Sequence, residues 1–141
     1  MTYTAKIKKQ RDGNFLVSFP SLPGCLTEGD TLNEALKNAK EALDGWLAAH
    51  VDRHFKAPKQ NIPKGLHTYP IEVDAQIAFA IKLRKLRHKR GLTQAQVAKK
   101  LKISQQAYAK LEAPLMTNPS LSTITNLSHV LDAHIDIRLT A

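Results

Sequence analysis

LTQAQVAKKLKISQQAYAKLE, residues 92–112, holds two short helical patterns around a tight turn. Thr93 and Gln96 have the spacing of a capping box, in which each side chain bonds the other residue's backbone N–H. They predict a helix to about Leu101. Ser104 is a second N-cap and predicts a helix to about Glu112. Val97, Ala98, Leu101, Ile103 and Leu111 are the expected core positions. Two adjacent glutamines, Gln105 and Gln106, follow the second cap directly.

A helix of about eight residues, a tight turn and a second capped helix make a helix-turn-helix. The second helix of such a unit enters the major groove of DNA, and its first residues meet base edges. Glutamine bonds adenine N6 and N7 together, which gives Gln105 and Gln106 a reason to open that helix. Lys110, one turn on, can reach a base or a phosphate.

The charge distribution points the same way. Residues 1–74 carry net +1 and residues 75–141 carry net +8, so nearly all of the +9 excess lies in the second half. Such asymmetry suits a polyanionic partner. Within the basic run KLRKLRHKR (82–90), Lys82, Lys85 and Lys89 are candidates for phosphate contacts.

The flanks complete a helical domain. Phe79, Leu83 and Leu86 have helical spacing, and Gly91 is a stop. After Ala113-Pro114 and Pro119, residues Leu121, Ile124, Leu127 and Leu131 mark a further helix. Ile135, Ile137 and Leu139 alternate, so the segment reads as a strand. A lone strand needs a partner, and the same segment of a second copy would provide one.

With these residues in view, 92–112 resembles the helix-turn-helix of the Xre/Cro family of phage-repressor-type domains. The matching positions are Leu92, Thr93, Gln94, Val97, Ala98, Leu101, Ile103, Ser104, Leu111 and Glu112, and the likeness covers about 75–132. The resemblance implies that Gln94 touches the DNA backbone and that Arg87 and Glu112 form a buried ion pair. A helix N-terminus also attracts phosphate through its free N–H groups. Two positions depart from the family pattern. Lys102 stands where glycine is common in the turn, and Ala113-Pro114 follows Glu112.

The first half has another pattern. Tyr3, Ala5 and Ile7 alternate with polar residues, RDGN (11–14) is a hairpin turn, and Phe15, Val17 and Phe19 alternate again. LTEGD (26–30) is a short third strand at most. Thr31 and Glu34 form a capping box, and Leu32, Leu36, Ala39, Leu43, Trp46 and Leu47 follow at helical spacing. KAPKQNIPKG (56–65) is a loop. Tyr69, Ile71 and Val73 suggest a closing strand, with Asp74 capping the next helix. The expected organisation is an α+β domain over 1–74, a small antiparallel sheet with one long helix. It is joined to an all-α helix-turn-helix domain over 75–141 with a C-terminal strand.

The stretch from Gly13 to Leu43 resembles the HicB antitoxin domain, and the likeness covers about 3–60. The matching residues include Gly13, Phe15, Val17, Phe19, Pro20, Pro23, Gly24, Cys25, Thr27, Gly29, Asp30, Thr31, Glu34, Ala35, Leu36, Asn38 and Ala39. The resemblance implies a cut-down ribonuclease-H fold and a partner, a HicA-like mRNA-cutting toxin that the domain silences. It also implies that the DNA-binding half represses the pair's own promoter. A near-neutral domain carrying Asp12, Glu28 and Asp30 suits a basic RNA-binding surface, and these three are the candidate toxin contacts. Asp44 and Asp52 are further acids of this half.

Other classes fit less well. A nuclease of this fold would hold metal ions with convergent carboxylates. The first strand, YTAKIKK, offers none, and Glu34, Glu41, Glu72 and Asp74 are scattered. No catalytic residue, cofactor or metal is expected. His50 and His54 have ligand spacing but read better as a helix-end pair. Cys25, the single cysteine, reads as a small buried residue and allows no internal disulfide. No apolar run approaches the roughly 18 residues of a membrane span, and MTYTAKIKKQ lacks a signal-peptide stretch. A cytoplasmic homodimer or higher oligomer binding a toxin and operator DNA is the expectation. A stand-alone regulator whose first domain oligomerises or senses a ligand is the alternative.

Overall fold

The structure is a computed structural model, and it describes residues 1–51, 56–59 and 65–141. Asp52 and His54 lie outside the described residues. The chain divides into two compact units, Met1–Ala78 and Phe79–Ala141.

The first unit contains strands β1 (Thr2–Lys9), β2 (Phe15–Ser18), β3 (Leu26–Gly29) and β4 (Thr68–Glu72), with helix α1 (Leu32–Val51) between β3 and β4. Helix α2 (Ala75–Lys89) starts here and continues into the second unit. The join expected at residue 74 lies just before α2, and the division lies inside it.

The sheet is antiparallel in the order β3-β2-β1-β4. Gly13 has φ of 92° in the first turn, where Asn14 N–H donates to the Asp12 carboxylate at 2.9 Å. Tyr3, Ala5 and Ile7 of β1, Val17 of β2 and Ile71 of β4 are buried on one face. Ala35, Ala39, Leu43 and Leu47 of α1 are wholly buried. The opposite face carries exposed Lys6, Lys8, Leu16 and Glu28.

Two local devices set α1 against the sheet. Thr31 Oγ1 accepts from Glu34 N–H at 3.1 Å, and the Glu34 carboxylate reaches back to Asp30 N–H at 3.1 Å. The box therefore closes one residue earlier than the usual N-cap N–H. Gly29 then passes so close to the helix that a Cβ there would lie 2.4 Å from Ala35 N. Midway along α1 Lys40 Nζ bonds both Asp44, at 2.8 Å, and the Glu72 carbonyl, at 3.0 Å. Asp44 in turn accepts from Asp74 N–H at 2.9 Å.

Cys25 is buried, with its thiol 3.6 Å from the Ala42 carbonyl. Burial pushes that thiol up to about 11.

The second unit continues α2 and adds α3 (Gln94–Leu101), α4 (Gln105–Leu111) and α5 (Leu121–Val130). Gly91, with φ of 66°, ends α2. The capping box of Thr93 and Gln96 is complete. Lys102 takes the left-handed backbone that glycine usually supplies, with φ of 57°. Its N–H still caps the α3 carbonyls, so the turn keeps its shape without glycine.

Leu83, Val97, Ala98, Tyr108, Leu127 and Leu131 form the core, with Leu101 and Leu111 packed against it. Ile103 is not core: it is 38% exposed. Tyr108 fills the centre instead and is fully buried.

The expected Arg87–Glu112 pair is present and bidentate, with Nε–Oε1 at 2.6 Å and Nη2–Oε2 at 2.9 Å. The Glu112 carboxylate also accepts from Tyr108 Oη at 2.8 Å and from Gln94 Nε2 at 3.1 Å. Arg87 Nη1 donates to the Leu92 carbonyl at 2.9 Å. Burial alone raises the Glu112 carboxyl, but the hydrogen bonds from Arg87, Gln94 and Tyr108 outweigh it and hold it below its ordinary 4.5.

The expected C-terminal strand is a correction. Residues 133–141 form no strand. A strand needs a neighbour's N–H and C=O groups, and among the described residues none pairs with this segment.

Two predictions follow from this packing. Gly29→Ala should destabilise the chain by about 3 kcal/mol, a severe overpacking cost. Gly45→Ala, exposed within α1 with no neighbour to meet, should stabilise it by about 0.4–1 kcal/mol, both read by urea unfolding. Glu112→Ala should cost about 3–5 kcal/mol by stranding Arg87. A lowered carboxyl stabilises fully above its unfolded value, so the wild-type second unit should lose stability as pH falls below 4.5. Glu112→Gln should lack that component, which thermal melts across pH would read.

Candidate functional site

Helix α4 begins at a well-formed cap. Ser104 Oγ accepts from Ala107 N–H at 3.0 Å, leaving the next two side chains at the outer end of the helix. Gln105 and Gln106 are both exposed, and so is Lys110. Gln106 and Lys110 are four residues apart and share one face of α4. Tyr108, between them in sequence, points to the core and fixes which face that is.

Gln105 also lines an open depression of about 490 Å³ with Arg87, His88, Gly91, Leu92, Thr93, Gln94 and Ala95. The structure thus brings Gln94 and Gln105 to one concavity. Gln94 is half-buried there, and its amide donates to Glu112 rather than standing clear. It ties the start of α3 to the end of α4.

Lys82, Lys85 and Lys89 are exposed along α2. Arg90, the last basic residue of the same run, is committed elsewhere. Its Nε donates to the Leu131 carbonyl at 2.8 Å and its Nη2 to the Asp132 carbonyl. It closes the end of α5. This role has no signature in local spacing, since it depends on residues brought in by the tertiary fold, whereas the Tyr108 hydroxyl meets Glu112 at the i, i+4 spacing of one helix.

In the first unit Asp12, Glu28 and Asp30 are exposed. Gly29 pairs with Phe15, so Asp30 and the turn carrying Asp12 lie at the same end of the sheet. Glu28 is on β3 opposite Leu16, which is opposite Lys8 of β1. The Asp12 carboxylate accepts within its own turn, and the Asp30 N–H is bound by Glu34.

Two of the carboxylates weighed for metal binding have local duties. Glu34 closes a capping box, and Asp74 Oδ1 accepts from Gln76 N–H at 2.9 Å to cap α2. Among the described residues, no three His, Cys, Asp or Glu side chains are grouped to hold a metal. His50 stacks on Trp46, with ring centroids 3.7 Å apart, and its Nδ1 is 2.7 Å from the Trp46 carbonyl. Among the described residues no helix is long and apolar enough to cross a membrane.

Comparison with known proteins gives two family matches. The family model for the HicB-like antitoxin of bacterial toxin–antitoxin systems matches residues 3–103. A helix-turn-helix family model matches residues 83–137. The chain is 43% identical to the UPF0150 protein Ta0767 of Thermoplasma acidophilum over 61 residues, 43% of this chain and 88% of that protein. It is 27% identical to the antitoxin HicB of Escherichia coli K12 over 111 residues, 79% of this chain and 80% of that one. A chain of a solved HicA3–HicB3 toxin–antitoxin complex aligns at 28% identity with a TM-score of 0.42, over 52% of this chain and 99% of that one. The chain belongs to the HicB-like antitoxins of bacterial toxin–antitoxin systems, and it carries a helix-turn-helix in its second half.

Proposed function

We propose that the chain neutralises a small HicA-like, mRNA-cleaving toxin through its first unit. Through its helix-turn-helix it binds operator DNA and represses its own operon. The observation that carries the DNA reading is the outer edge of α4, where Gln105, Gln106 and Lys110 stand exposed beyond the Ser104 cap. Gln105 and Gln106 read base edges, Lys110 meets a base or a phosphate, and Gln94 holds the two helices in register beside the DNA backbone. The net +8 of residues 75–141 supplies attraction for phosphate.

The toxin reading is supported by the family and by the charge of the first unit. Residues 1–74 are close to neutral, so the unit has little net charge with which to attract RNA itself. Asp12, Glu28 and Asp30 meet cationic groups of the toxin. Covering a basic RNA-binding surface with acids silences it without chemistry.

Gln106→Ala should weaken operator binding by about 1–3 kcal/mol while random DNA is held nearly as before. Fluorescence anisotropy on both duplexes reads this, and equal loss on the two would sink the base-contact assignment. Binding by the wild-type chain should fall steeply between low and moderate salt, as phosphate contacts release counterions.

Capture of the tagged full chain from its native cells should bring down a small basic protein in stoichiometric amount. The triple reversal Asp12→Lys, Glu28→Lys, Asp30→Lys should abolish that capture and leave operator binding intact. Capture unaffected by the reversal would move the toxin contact elsewhere on the unit.

A further inference from the structure

Helix α4 has four exposed residues, Gln105, Gln106, Ala107 and Lys110. Three of them carry polar groups that can bond a base edge or a phosphate. Ala107 offers only a methyl group, and its backbone N–H is occupied by Ser104 Oγ at 3.0 Å. Residues advance by about 100° around a helix. Tyr108 and Glu112, both buried, mark the inner side of α4, and Gln106 and Lys110 stand opposite them. Ala107 is a neighbour of Lys110 at i, i+3, on the flank away from Gln105. The outer face of α4 is therefore polar along its centre and carries one apolar point beside it.

The residue type suits a close approach. Alanine adds no bulk to hold the α4 backbone away from a groove floor, and its side chain reaches only what comes near that backbone. In the major groove a thymine presents a 5-methyl group, and small apolar side chains such as alanine pack against it. Adenine, guanine and cytosine present hydrogen-bonding groups there and no methyl. A methyl at position 107 has one counterpart on the four bases.

We propose that Ala107 is a specificity-determining residue, whose methyl group packs on the 5-methyl of a thymine near the base that Gln106 reads. The assignment rests on the DNA-binding reading and adds to it a preference that hydrogen bonds do not express. Gln105 and Gln106 select bases by N–H and C=O pairing, whereas Ala107 selects by removing two small apolar groups from water. Burial of one such group is worth about fourfold in affinity.

The probe is the duplex that the wild-type full chain selects from a randomised library. Each thymine of that duplex is replaced singly by deoxyuridine, which keeps every hydrogen-bonding group and removes only the 5-methyl. Fluorescence anisotropy compares the duplexes with wild type, Ala107→Gly and Ala107→Ser. With wild type, replacement of one thymine should weaken binding about fourfold. Ala107→Gly, which lacks the methyl, should bind the two duplexes alike at that position. Each variant is compared with itself on two duplexes, so a loss of folded population cancels from the ratio. Should glycine leave no folded chain, Ala107→Ser decides by the same ratio, since its hydroxyl disfavours the apolar contact and should remove most of the response. A selected duplex in which no thymine responds to deoxyuridine overturns the thymine contact and leaves the reading by glutamines standing. A response that persists undiminished in the deciding variant does the same. If no sequence is enriched from the library, sequence-specific DNA binding and the thymine contact fall together.

Discussion

The helical unit turns on one carboxylate. Glu112 ends α4, receives two bonds from Arg87 near the end of α2, one from Gln94 at the start of α3 and one from Tyr108 of its own helix. Three helices are thus referenced to one pair of oxygen atoms. Burying the ions carries a desolvation cost that their attraction alone need not recover. The hydrogen bonds from Tyr108 and Gln94, and that from Arg87 to the Leu92 carbonyl, satisfy what the pair itself leaves open. The result is a directional constraint more than a store of stability. A greasy core of the same volume would let α4 rotate by a fraction of a turn, and the exposed glutamines would point elsewhere.

The first unit uses a steric constraint for the same end. Small residues let chain segments approach closely: Gly29 meets the first turn of α1, and Ala35 and Ala39 lie fully buried where larger side chains would hold helix and sheet apart. The Lys40–Asp44 pair then fixes the middle of the helix against β4 and the residue before α2. Here the ion pair is partly exposed and its own strength is modest. Its value lies in the backbone groups that the same two side chains bind.

How much of this was legible in the sequence depends on the range of the interaction. Caps, turns and strand alternation involve residues a few positions apart, so both capping boxes, the RDGN hairpin and the order of elements could be read directly. The Arg87–Glu112 pair spans 25 positions and came from resemblance, not from spacing. Ile103 and Tyr108 show the limit. An isoleucine in a tight turn looks like core and a tyrosine between polar residues does not. Yet the 100° step of a helix turns Tyr108 inward, and the turn leaves Ile103 partly exposed. Gln94 is subtler: the resemblance implied a contact outside the protein, while the fold uses its amide internally. The strand expected after α5 follows the alternation of its residues, but alternation does not say whether a neighbouring strand is there to pair with, and residues 133–141 form none.

Cys25 carries a consequence for how this molecule responds to its surroundings. Oxidants and disulfides attack the thiolate, and a thiol raised to about 11 holds almost none of that form at neutral pH. The side chain is also shut off from solvent, against the carbonyl of Ala42. As the chain's single cysteine, it leaves the protein without a fast thiol switch. Oxidation of this thiol would wait on slow opening of the first unit, at a rate set by packing around α1.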